Sequence, residues 1–202
     1  MKLVLATRNE GKVREIGEIL KDQTGIELLS LRNYPDAPEV VEDGTTYEEN
    51  AIKKASALAE YTGHLTIGDD SGLAVDALDG APGVHSARYA GENASDQDRI
   101  TKLLNALQEA SDERRSARFI CAVAIAVPLA RVEVVRGVCE GRIICAPRGE
   151  SGFGYDPIFV PVGYDKTFAE LGDEIKNRIS HRAKALDEAR KLLSEMNPEK
   201  YR

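Results

Sequence analysis

A chain of 202 residues, 42% apolar and 30% charged, has the make-up of a globular protein able to bury a sizeable core. Its formal net charge of −7 argues against a general polynucleotide binder, which needs a basic face, but leaves room for one small phosphate ligand held by local cations. The apolar start, residues 1–6, is too short for a signal peptide, and no run approaches membrane-spanning length, so no membrane partner is expected.

In chain order, residues 2–6 predict a buried strand. Asn9 is the expected N-cap of a helix running to about Lys21, with Val13, Ile16, Ile19 and Leu20 on one side. A second strand is expected over 26–31, after which Pro35 and Pro38 break regular structure. Thr46-Tyr47-Glu48-Glu49 is a capping-box pattern and opens a helix to about Tyr61, with Ala51, Ala55, Leu58 and Ala59 facing inward. A strand over 64–68 should end at Asp69-Asp70, followed by a short strand and loop across 72–88. Ser95 caps a helix carrying Ile100, Leu103, Leu104 and Leu107. Residues 118–127 and 132–138 predict neighbouring antiparallel strands, extended by 141–145, and Ser180 caps the last helix. This order describes an α/β fold with a mixed sheet, in two lobes with a cleft between them. Cys121, Cys139 and Cys145 lie in apolar, strand-like stretches without CxxC spacing, so buried free thiols in a reducing cytoplasm are expected.

Asp69 and Asp70 are the most informative pair. Adjacent acids repel, so two at a tight turn share a cation or handle a proton, unless they form an Asx-type turn that merely stops the strand. Hard oxygen ligands of this kind suit Mg²⁺. Residues 7–12 (Thr7, Arg8, Asn9, Glu10, Gly11, Lys12) join strand to helix, where free amides, the helix dipole and the Lys12 charge suit a phosphate. A capped helix with a solvated lysine fits the same residues. The segment is not a Walker loop, because Ala6 and Val13 stand where that pattern needs Gly and Ser or Thr. Glu42 matters only if the fold brings it near Asp70. In 151–159, Gly152 and Gly154 permit close backbone approach, Phe153 offers a ring face and Asp156 an acceptor; a Gly-rich connection is the plainer reading. His181 and Arg182 put cations into the first turn of the last helix, against its dipole, which hints at a donor-rich edge facing an oxygen-bearing ligand.

The ordered set Thr7-x-Asn9-x-x-Lys12, Gly68-Asp69-Asp70-Ser71-Gly72-Leu73, the stretch from Gly80-Ala81-Pro82-Gly83 to Arg88-Tyr89, Gly152-Phe153-Gly154-Tyr155-Asp156-Pro157 and Ser180-His181-Arg182 resembles the inosine triphosphate pyrophosphatase family. It spans nearly the whole chain. The resemblance implies hydrolysis of ITP, dITP and XTP to monophosphate and pyrophosphate. It also implies one domain over 1–202 with an elongated mixed sheet flanked by helices, and a cytoplasmic homodimer. Asp70 would be the proton acceptor and would hold Mg²⁺ with Glu42 and Asp69. Thr7, Arg8, Asn9, Glu10, Gly11, Lys12, Lys54 and Ser71 would hold the phosphates. Phe153, Gly154, Tyr155, Asp156 and Lys176 would hold the purine, with His181 and Arg182 donating to its O6 acceptor. Two rivals remain: a Mg²⁺-dependent phosphatase of another metabolite, and a nucleotide-binding regulator without turnover.

Overall fold

The computed structural model describes residues 1–195. The elements are β1 (Lys2–Leu5), α1 (Glu10–Leu20), β2 (Glu27–Ser30), α2 (Tyr47–Thr62), β3 (Leu65–Val75), α3 (Asp96–Ala106), β4 (Ser116–Ala126), β5 (Val132–Ile143), β6 (Phe159–Pro161), α4 (Phe168–Ile179) and α5 (His181–Glu195), with short 3₁₀ turns between. The strands form one mixed sheet in the order β2-β1-β3-β4-β5-β6, with helices packed on it. β1 runs parallel to β2 and β3, and β5 antiparallel to β6. The α/β class and the mixed sheet are as the sequence predicts.

Two compact units divide the chain. Residues 1–70, 121–137 and 182–195 make the first; residues 71–120 and 138–181 make the second. The first is built around Leu3, Leu5, Ile16, Ile67, Val123 and Leu186, all essentially inaccessible to solvent. The second packs Leu73, Leu103, Phe119, Ile158, Phe159 and Phe168 together, with Phe119 edge-on to Phe159 at 4.6 Å. Among the described residues, no helix is long and apolar enough to cross a membrane.

Several elements begin where their caps dictate. Asn9 Oδ1 accepts from Lys12 N (3.0 Å) at the start of α1, and Ser95 with Asp98 forms a full capping box on α3. At α2, Thr46 accepts from Glu49 N, and the Glu49 carboxylate reaches back to Thr45 N (2.6 Å).

Three expectations are corrected. First, Asp69 and Asp70 do not end a strand: β3 runs unbroken through them to Val75. Gly72 does not take the left-handed conformation, so Ser71-Gly72 makes no turn; the chain turns later, at Asp79, Gly80 and Gly83. Second, α4 was not expected. Its signal is the capping box Thr167-x-x-Glu170, which the structure shows complete, but Gly172 (φ 77°) kinks the helix and breaks its period. The short strand β6 was not expected either. Third, Cys145 is exposed, because β5 ends at Ile143 and leaves it outside the sheet; Cys121 and Cys139 are buried as predicted.

One close approach sets the position of α2. Gly68 on β3 lies directly beneath Ala51 and Ala55, and a Cβ there would collide with the Ala51 carbonyl and the Ala55 backbone. Two alanines and a glycine thus let helix and strand come nearer than larger side chains would allow. Gly68→Ala is expected to lose about 1–3 kcal/mol of stability, the usual range for overpacking a tight core contact, as measured by urea unfolding.

Candidate functional site

Side chains of consecutive strand residues point to opposite faces of the sheet. Asp69 and Asp70 sit inside β3, so their carboxylates part instead of converging. Each meets a different helix.

Asp69 faces α1 and α5. Leu5 of β1 is in register with Ile67 of β3, so the chain leaves β1 level with Asp69 and enters α1 through residues 7–9. Lys12 and Glu15, three apart on α1, share a face. Lys12 Nζ lies 2.5 Å from Asp69 Oδ1 and 3.3 Å from its carbonyl. From the first turn of α5, Arg182 donates through Nε to Asp69 Oδ2 (2.9 Å) and through Nη1 to Glu15. The buried Cys121 thiol donates to Asp69 Oδ2 (3.1 Å). Asp69 and Arg182 are each 1% exposed. Burial alone would raise the Asp69 carboxyl, but Arg182 and then Lys12 hold it well below the usual carboxylate range. Burial likewise works against the Lys12 ammonium, and Asp69 together with Asp70 more than reverses it, leaving its pKa raised.

Asp70 faces α2. Asn50 and Lys54, four apart and therefore on one helix face, both reach it: Asn50 Nδ2 donates to Oδ2 (3.2 Å) and Lys54 Nζ to Oδ1 (3.3 Å). Lys54 Nζ also donates to Glu42 Oε2 (2.8 Å). One ammonium thus holds two carboxylates. Burial pushes the Asp70 carboxyl above its ordinary range against Lys54 and Lys12, with Glu42 adding to the rise. Glu42 is driven the other way, because Lys54 outweighs its burial. A place that gathers two carboxylates around one positive charge also suits a hard divalent cation. Among the described residues, no three His, Cys, Asp or Glu side chains gather as a metal site, so such an ion would take its remaining ligands from water and phosphate. The donor set therefore fits Mg²⁺ through Asp70 and Glu42. Asp69 lies on the other face, paired with Lys12 and Arg182.

The remaining phosphate candidates surround the start of α1. Asn9 is its cap, Thr7 Oγ1 accepts from Asn9 N (3.2 Å), and Gly11 is half-buried in the first turn. Arg8 is exposed and donates to the Ala37 carbonyl (3.0 Å), while Glu10 is exposed and bonded to Arg32. Ser71, one residue past Asp70, is half-buried.

The second unit holds the other group. Asp156 Oδ2 accepts from Phe153 N (2.9 Å) and from Lys176 Nζ (2.5 Å); Asp156 and Lys176 are both 2% exposed. The Lys176 ammonium stands 4.5 Å from the centroid of the half-buried Phe153 ring. Gly154 N donates to Asp96 Oδ2 (2.7 Å). Tyr155 is buried and its hydroxyl donates to the Ser86 carbonyl (3.0 Å), so its ring is structural. His181 stacks on Phe119 at 4.7 Å. Arg182 departs from expectation: the oxygen-bearing groups facing its guanidinium are Asp69 and Glu15 of the chain itself. Glu15, Asn50 and Asp96 were missed. The available signals were an acid on the apolar side of α1, next to Ile16, and an amide beside Ala51 on the inward face of α2.

The model of the Ham1 family matches residues 3–192. The chain belongs to the Ham1 family. It is 53% identical over 196 residues to a dITP/XTP pyrophosphatase of Desulforamulus reducens, covering 97% of each chain, and 53% identical to one of Geobacillus kaustophilus, covering 92% and 90%. A HAM1 protein from Coxiella burnetii superposes with a TM-score of 0.87 at 43% identity, over 97% of this chain and 100% of that one.

Within this Ham1 chain, Arg182 joins α1, β3 and α5 through two buried carboxylates. Removing one partner of a buried pair strands the other, so Arg182→Ala should cost about 3–5 kcal/mol at neutral pH. A carboxyl held low in the folded state adds stability above its unfolded pKa, about 3.9, and loses it as pH falls. The deficit of Arg182→Ala should therefore be widest at neutral pH and narrow below about pH 4, as followed by urea unfolding across pH.

Proposed function

We propose that this chain works as one cytoplasmic, homodimeric domain. It hydrolyses non-canonical purine nucleoside triphosphates, dITP, XTP and ITP, to the monophosphate and pyrophosphate. The observation that carries the reading is the gathering of Glu42, Asp70, Lys54 and Asn50 on one face of β3, with Lys12 anchored at the N-terminus of α1. Carboxylates that suit a divalent cation, an ammonium and free helix amides are the groups that triphosphate cleavage needs. The likeness to relatives named dITP/XTP pyrophosphatase supports the substrate class.

We assign the roles as follows. Thr7, Arg8, Asn9, Glu10, Gly11 and Lys12 present the start of α1 to the phosphate chain, and Lys54 and Ser71 add donors. Asp70 and Glu42 would hold Mg²⁺, which when bound supplies charge neutralisation at the phosphate oxygens. Asp70 orients a water and accepts its proton as the water oxygen bonds to the α-phosphorus and the bond to the pyrophosphate oxygen breaks. Phe153, held by Asp156 and flanked by Lys176, would offer its ring to the purine, with Gly154, Tyr155 and His181 as further candidate contacts. Arg182 anchors Asp69, and through it Lys12, and with His181 it is our candidate donor to the purine O6.

A panel of dITP, XTP, ITP, dATP and dGTP with Mg²⁺, scored for pyrophosphate, tests the reading. Pyrophosphate from the first three and little from the others is expected. Orthophosphate instead would point to a phosphatase, and tight binding without turnover to a regulator. Asp70→Asn should lower kcat by at least about 10²-fold with the fold unchanged by circular dichroism.

A further inference from the structure

Asn50 belongs to no motif, yet it is 1% exposed and both ends of its carboxamide are engaged. Oδ1 accepts from Gly44 N (2.8 Å), and Nδ2 donates to Asp70 Oδ2 (3.2 Å). Gly44 lies two residues after Glu42, on the loop that leads into α2. Asn50 therefore ties the segment bearing one carboxylate of the acidic centre to the other carboxylate. A second observation points the same way. A Cβ at Gly44 would collide with Asn50 Oδ1 and with the Glu49 Cβ, so the loop backbone is seated against the amide as closely as glycine permits. The neighbouring Glu49 fixes the loop from its other side, through Thr45 N and Oγ1.

We propose that Asn50 is a positioning residue for the reaction: its carboxamide sets the place of Asp70 and of the Glu42 loop at once, so that both carboxylates meet at Lys54. This deepens the pyrophosphatase reading and rests on it. An amide suits this task because it is one donor and one acceptor on a rigid plane, and neither end carries charge. A carboxylate in its place would keep the acceptor for Gly44 but set a negative oxygen against Asp70. An alanine would release both.

These two substitutions separate the links. In metal-free, nucleotide-free protein, hydrogen exchange of the Gly44 amide should be slow in wild type, fast in Asn50→Ala, and still slow in Asn50→Asp. Steady-state kinetics on dITP should show kcat reduced by about 10–100-fold in both variants, the usual effect of removing a group that orients a ligand, with KM little changed and the melting temperature within a few degrees of wild type. A merely structural Asn50 would move melting temperature instead. Wild-type kcat in Asn50→Asp, or a fast Gly44 amide in wild type, would overturn the proposal. Should either Asn50 variant fail to fold, Gly44→Ala displaces the amide from the loop side; a kcat lowered with KM kept supports the link, and an unchanged kcat overturns it. Wild type releasing no pyrophosphate from dITP, XTP or ITP would defeat the pyrophosphatase reading alone, because the Gly44 amide reports on the tether without turnover.

Discussion

Two carboxylates on successive residues of one β-strand point to opposite faces, so Asp69 and Asp70 take different hydrogen-bond partners, with Lys12 bonded to the first and close enough to act on the second. That constraint organises the first unit. It turns an adjacent acidic pair, whose mutual repulsion would otherwise be costly, into two hydrogen-bonded centres linked by the charge of Lys12. The Asp69 centre is closed: Lys12, Arg182 and the Cys121 thiol surround its carboxylate, and Glu15 completes the guanidinium. The Asp70 centre has two carboxylates bonded to the Lys54 ammonium, so acid outnumbers its direct cationic partner. A closed centre suits anchoring, and one with acid in excess suits chemistry.

The division depends on backbone approach. Asn50 and Lys54 reach Asp70 only because α2 lies close on β3, and it lies close because Gly68 meets Ala51 and Ala55. On the other face, the parallel register of β1 with β3 delivers residues 7–9 and the start of α1 beside Asp69. Small residues and strand register, which carry no chemistry themselves, thus decide which charged groups meet.

Much of this was legible in the residues. Caps at Asn9, Thr46 and Ser95 located three helices, because a cap is a local hydrogen bond and sequence records it directly. The pairing of Glu42 with Asp70 was conditional on the fold, and the fold brings them to one lysine. Ser71-Gly72 reads as a turn, whereas neighbouring strands keep the chain extended and set Asp69 and Asp70 on opposite faces. Turn propensity is a local signal, and pairing in the sheet outweighs it. The cost of a cation at the start of α5 did indicate an oxygen-bearing partner for Arg182, but sequence offers no means to tell a ligand from two carboxylates 113 and 167 residues away. Asn50 escaped for a related reason: an amide on an apolar helix face is visible, but what it touches is tertiary.

Both units use the same device. Lys12–Asp69–Arg182 in the first and Lys176–Asp156 in the second are buried acid–base clusters, and such clusters contribute little net stability compared with well-packed apolar side chains. Their value lies in fixed orientation. Lys12 is held at the N-terminus of α1 by Asp69, while the Phe153 backbone is held by Asp156 and its ring flanked by Lys176. Groups that must meet a highly charged ligand are most effective when they do not reorganise on meeting it, because each reorientation in a low-dielectric setting subtracts from the interaction gained. An apolar core at the same positions would stabilise the fold as well or better, but it would leave the Lys12 ammonium and the Phe153 ring without a defined place.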